Sequence, residues 1–236
     1  MDPQTQEHPK RGQGIESTHA TVSSDNLPPA AEVKKASQIP ILDQEGKKHL
    51  FGDLFVSSES TNDKRVLVIF IRHFFCGHCQ DYLTCLASSV PSPSSLPPGT
   101  SIVVIGCGAP SLIPMYAELT KWTLPIYTDP TARLYDIFGM TKSLATAPTP
   151  PKYMTHSLLS STLGGITQGL RRVLKGDALK SGDVRQIGGE LLFEVEGGSP
   201  KADDINAQVT WCHRMKNTQD HTEVPDLLRV LGIASK

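Results

Sequence analysis

Two cysteines two residues apart, Cys76-Gly77-His78-Cys79, follow an unbroken apolar run, Val66-Leu67-Val68-Ile69-Phe70-Ile71. An amphipathic pattern begins at once, with Cys79, Tyr82, Leu83 and Leu86 at helical spacing. This order puts both sulfurs at the first turn of a helix that leaves a buried strand. There the free backbone N–H groups and the helix dipole favour an anion, so a thiol ionises more readily. Cys76 is the candidate nucleophile. Cys79, one turn on, is the thiol that would resolve an oxidised Cys76 by closing a disulfide. Arg72, His73 and His78 flank the pair, where positive charge favours a thiolate, and Arg72 also suits an anionic substrate. The plain alternative is two buried cysteines used as packing.

The other three cysteines are Cys85, Cys107 and Cys212. Cys85 lies six residues past Cys79 on the same helix and so points elsewhere. Cys107 follows a strand at the same end of the sheet and is a second candidate resolving thiol. Cys212, beside His213, reads as strand packing. An odd count does not fit the disulfide framework of a small secreted domain. A structural zinc site needs two converging ligand pairs, and only one Cys-x-x-Cys is present, so no metal is expected. Gly106-x-Gly108 lacks the third glycine of a dinucleotide loop, and no bound cofactor is expected. A net charge of −1 with no basic stripe argues against nucleic acid. No apolar run reaches the ~18 residues of a membrane span. The first residues lack the basic flank and apolar stretch of a secretory signal, which points to a cytoplasmic protein.

Residues 1–36 are rich in Gln, Ser, Thr, Pro and charge and offer little to bury, so they are expected to be a disordered tail. Residues 37–234 are expected to form one domain. A strand over 65–71 is followed by a helix over 76–88, a strand over 102–105 and a helix over 110–121. A third strand covers 124–128. Asp129-Pro130 then reads as a cap followed by the first helical residue. A Pro-rich connection leads to a longer helix over 156–174. Segments 190–195 and 208–212 read as an edge hairpin, and a last helix covers 223–231. Strands alternating with helices indicate parallel crossovers. The fold class is therefore α/β: a thioredoxin-like domain with a central mixed sheet flanked by helices.

Several phrases in this order resemble one known group. They are Ile71-Arg72-His73-Phe74-Phe75-Cys76-x-x-Cys79, Val104-Ile105-Gly106, Ile126-Tyr127-Thr128-Asp129-Pro130, Leu134-Tyr135 with Gly139-Met140, Gly182-Asp183-x-x-Gln186-x-Gly188-Gly189-Glu190, and His213-Arg214. The chain resembles the AhpC/TSA antioxidant-enzyme-domain proteins of the peroxiredoxin-like kind, relatives of the prostamide/prostaglandin F synthases, over roughly residues 37–234. The resemblance implies a thioredoxin-like fold and thiol-dependent redox activity. Two departures bear on function. A typical peroxiredoxin places Pro and Thr or Ser shortly before its reactive cysteine, whereas here that approach is Arg72-His73-Phe74-Phe75, which argues against high peroxidase efficiency. Thioredoxins place a cis-proline opposite the dithiol, whereas Gly188-Gly189 stands here, which argues against binding protein disulfides.

The expected function is reduction of a peroxide or related small-molecule oxidant by the Cys76/Cys79 dithiol through a redox-active disulfide. A thioredoxin- or glutathione-type donor would reset it. Phe74-Phe75 would offer an apolar wall to a lipid endoperoxide, although a core role is expected for at least one of them. The alternative is a non-catalytic thioredoxin-like redox-sensing or interaction module.

Overall fold

A strand covered on both faces can be apolar at every position, and Lys64–Phe70 shows the result: Val66 to Phe70 are all fully buried. The computed structural model describes residues 25–56, 64–90, 92–153, 180–195 and 206–233. Its strands are β1 (Pro40–Leu42), β2 (Lys48–Leu50), β3 (Lys64–Phe70), β4 (Thr100–Gly106), β5 (Ile126–Thr128), β6 (Gly189–Val195) and β7 (Ala207–Arg214). The α-helices are α1 (Ala30–Ser37), α2 (Gly77–Ser89), α3 (Ile113–Thr120), α4 (Arg133–Ile137) and α5 (Val224–Val230).

The strands form one seven-stranded sheet in the order β2-β1-β5-β4-β3-β6-β7. β3, β4 and β5 are mutually parallel, joined through α2 and α3, while β6 pairs antiparallel with β3 and β7 antiparallel with β6. A dithiol helix leaving β3, with β4 on one flank and an antiparallel hairpin on the other, is the thioredoxin-like plan. The fold is the one expected.

Successive β3 side chains point to opposite faces. Leu67 and Ile69 join the core under α2, α3 and α5, with Leu83, Leu86, Tyr116 and Leu227. Val66, Val68 and Phe70 join the other core, where Phe51, Phe138 and Phe193 pack ring against ring under α1 and α4. The strand is thus pinned between two layers, and its end is a rigid base for whatever follows it.

Three expectations need correction or limits. Residues 25–36 do not belong to a tail. Asp25 is tied to β7 through Cys212 and Arg214, and α1 sends Val33 and Ala36 into the core. A polar helix needs only a few buried side chains to dock, which an average over 36 residues conceals. Residues 1–24 and the helix expected over 156–174 lie outside the described residues. The helix expected at Asp129-Pro130 starts later, at Arg133, because Ala132 adopts a left-handed conformation (φ 55°). Asp129 still caps it, accepting the Leu134 N–H at 2.8 Å.

Candidate active site

The chain leaves β3 and turns at once, with the Cys76 N–H closing on the His73 carbonyl at 3.0 Å. Cys76 is extended and is the N-cap of α2, so its sulfur sits where the first helical N–H groups are unpaired. Arg72 folds back over this turn. Its guanidinium Nη1 donates to Cys76 Sγ at 3.3 Å, Nε to the Gln186 carbonyl at 3.2 Å and Nη2 to the Val184 carbonyl at 2.6 Å. The side chain is buried, so the charge meets the sulfur with little water between them.

All five cysteines are free thiols, and the two in the motif sit in opposed states. The Cys76 thiol is held well below its ordinary 9.0, first by the hydrogen bond it receives from Cys79, against the cost of burial, then by His73 where that imidazole is protonated and by the Arg72 guanidinium. Burial and the neighbouring Cys76 anion push Cys79 well above the ordinary value. The two thiols are thus drawn apart, Cys76 toward the anion and Cys79 toward the protonated form. Burial also pushes His73 below its ordinary 6.5, so near neutral pH Arg72 is the cation that remains. His78 turns to another partner: its Nε2 accepts the Gln219 amide N–H at 3.1 Å.

The other cysteines are placed by packing. The Cys107 thiol donates to the Arg72 carbonyl at 2.9 Å, and burial pushes its pKa up to about 12. Its hydrogen bond ties the start of β4's following loop to the turn that carries Arg72. Cys212 is buried and pushed up to about 11 by that burial, and half-buried Cys85 is also raised. Phe74 is core, edge-on to Tyr116 at 5.3 Å, and does not wall a lipid site.

Two residues that the sequence reading missed complete the site. His221 Nε2 lies 3.3 Å from Cys79 Sγ, and its Nδ1 lies 2.5 Å from Glu190 Oε1. Both side chains are fully buried. The imidazole stacks flat on Tyr82, with ring centroids 4.2 Å apart and planes 3° from parallel. Glu190 also accepts the Thr222 hydroxyl at 3.0 Å. Cys79, His221 and Glu190 lie in series, and among the described residues no three His, Cys, Asp or Glu side chains converge to hold a metal ion. One signal was legible: Glu190 is a carboxylate at the head of a strand, directly before the apolar run Leu191-Leu192-Phe193. His221 lies 142 positions from Cys79 in a segment without periodicity, and nothing local marks it.

Enclosure distinguishes the site from an open thiol surface. Cys76 is 3 % exposed and Cys79 0 %. Arg72 is expected to be the residue through which charge at Cys76 can be tuned. Arg72→Met should shift the pH midpoint of Cys76 alkylation by a small haloacetamide upward. It should also cost about 3 kcal/mol in urea unfolding, since the buried Gln186 carbonyl and the partly buried Val184 carbonyl lose their donor. An unmoved midpoint would show that the guanidinium does not hold the thiolate.

A Mus musculus protein named peroxiredoxin-like 2C is 27 % identical over 93 % of this chain and 87 % of its own length. The Homo sapiens protein of that name is 28 % identical over 84 % of this chain and 79 % of its own. The crystal structure of peroxidoxin BcpB from Mycobacterium tuberculosis superposes with a TM-score of 0.47 at 13 % identity, covering 82 % of this chain and 89 % of that one. Residues 86–217 match the AhpC/TSA antioxidant enzyme family, a span that begins beyond both motif cysteines and takes in Glu190. That span is more than half of the chain, and the protein belongs to the AhpC/TSA antioxidant enzyme family.

Proposed function

We propose that the protein is a thiol oxidoreductase that reduces a small hydroperoxide with the Cys76/Cys79 pair. The observation that carries this reading is the asymmetry of the two sulfurs: Cys76 lies under the Arg72 guanidinium at the helix start and is drawn low, while Cys79 beside it is enclosed and raised. Family membership supports redox chemistry in general. In the first step Cys76 sulfur attacks the terminal oxygen of R–O–O–H. The S–O bond forms, the O–O bond breaks, and the departing alkoxide takes up a proton to leave as ROH. Cys79 then attacks the Cys76 sulfenic acid, giving the Cys76–Cys79 disulfide and water. A dithiol of thioredoxin type, or two glutathiones, supplies the two electrons that restore the pair, as a cytoplasmic setting would allow.

The near-complete enclosure of Cys76 favours hydrogen peroxide and short alkyl hydroperoxides over lipids or protein disulfides. The same enclosure favours the second reading, a redox sensor that is oxidised once and reset slowly. Hydrogen peroxide consumption coupled to a thioredoxin or glutathione regenerating system tests the choice. Many turnovers per protein are expected. A single stoichiometric oxidation with either donor would replace the enzyme by the sensor.

A further inference from the structure

We propose that His221 is the general base of the resolving step, and that Glu190 is the positioning residue that fixes its tautomer. This deepens the reading above and rests on it only in taking Cys79 as the second sulfur. A neutral imidazole carries one N–H, and a carboxylate can only accept. With Nδ1 2.5 Å from Glu190 Oε1, the proton lies on Nδ1 and the Nε2 lone pair faces Cys79 Sγ at 3.3 Å. Thr222 occupies the other oxygen of Glu190, and the Tyr82 ring fixes the plane of the imidazole. The arrangement has the logic of a nucleophile, a base and an orienting acid in line, here aimed at the inner cysteine.

The need for such a base follows from burial. Cys79 is enclosed and its thiol is raised well above the ordinary range, so unaided it is almost wholly protonated at neutral pH. In the reduced pair its S–H points at the Cys76 thiolate. Oxidation of Cys76 removes that anion, and His221 Nε2 is then the base within reach. The imidazole takes the Cys79 proton as Cys79 sulfur attacks Cys76 sulfur. The S–S bond forms, the S–O bond breaks, and the imidazolium returns the same proton to the departing hydroxide as water. On reduction of the disulfide the imidazolium protonates the departing Cys79 sulfur. The titratable groups facing the ring are Cys79 and Tyr82 on α2, Glu190 on β6 and Tyr153 of the preceding segment. Burial raises both tyrosines, so neither contributes charge near neutral pH.

The full chain with Cys85→Ser, which removes the half-buried thiol, is treated with methyl methanethiosulfonate. Attack by the Cys76 thiolate forms a methyl disulfide and releases methanesulfinate; attack by Cys79 then closes the protein disulfide and releases methanethiol. In His221→Gln the first release is expected at the parent rate and the second about 100-fold slower, the ordinary loss on removing a general base. Glu190→Gln should slow the same step and Glu190→Asp restore part of it. The parent's second release should stay nearly level from neutral to mildly alkaline pH, whereas that of His221→Gln should climb with hydroxide. Methanethiol release from His221→Gln at the parent rate would overturn the proposal. So would a parent rate that climbs tenfold per pH unit, a result that needs no folded variant. The thiosulfonate loads Cys76 without peroxide, so a protein inert to hydrogen peroxide that still resolves through His221 would refute the enzyme reading and leave this one standing.

Discussion

Cys76→Ser should lower peroxide turnover at least ~10³-fold, the scale of loss when an enzyme is deprived of its nucleophile. The hydroxyl is close in size, so the fold should survive, but a serine without an activating base presents no anion to the O–O bond. Changes at the partner cysteine should separate two roles. Cys79→Ser keeps a donor beside Cys76, so one equivalent of peroxide should still be consumed and a sulfenic acid should accumulate at Cys76. Cys79→Ala removes that donor, which is the largest influence holding the Cys76 thiol low, and the first step should slow as well near neutral pH. Stopped-flow peroxide consumption with trapping of the sulfenic acid by a carbon acid checks all three. Equal first-step rates for Cys79→Ser and Cys79→Ala would show that the Cys79 hydrogen bond does not hold the thiolate.

Gly188→Ala is expected to destabilise the protein by about 3 to 5 kcal/mol, in the range of the most severe single changes. A Cβ at Gly188 would stand 1.9 Å from the Phe70 carbonyl oxygen, and one at Gly189 would stand 2.4 Å from that of His213. Both obstacles are backbone, so no rotamer change relieves them. The damage should reach the chemistry, because the Phe70 peptide leads directly to Arg72 and because Gln186 and Val184, which hold the guanidinium, precede the glycine pair. Urea unfolding should show the loss of stability, and Cys76 alkylation should show a thiolate formed less readily. A variant within 1 kcal/mol of the parent would mean that the β3 and β6 ends can separate without consequence. The glycines therefore provide close approach of the β6 backbone to the end of β3 and to β7.

The dithiol was legible because its signals are local. An apolar run stopping one turn before Cys-x-x-Cys places the sulfurs by strand and helix periodicity alone. The edge hairpin and final helix were legible for the same reason, and β6, β7 and α5 stand where patterning put them. Patterning failed at α1, whose two core residues are diluted by a polar sequence, and at Ala132, whose left-handed backbone delays α4. Among the neighbouring residues it placed Arg72 on Cys76 but misjudged the two histidines. Arg72 and His73 stand beside Cys76, but burial leaves His73 uncharged near neutral pH, and His78 belongs to Gln219.

By itself the sequence determined that two sulfurs would meet at a helix start above a buried strand, within an α/β sheet of mixed direction. Hydrophobic periodicity and the reach of one helical turn are properties of adjacent residues. Only the tertiary structure supplied the burial and the distant groups that draw the two thiols apart, Cys76 downward and Cys79 upward. Arg72 is fixed by carbonyls 112 and 114 positions away, and His221 reaches Cys79 across 142 positions while leaning on a carboxylate from a third element. Electrostatic and hydrogen-bonding partners act through space at a few ångströms, and chain order does not encode such distances until the sheet has closed.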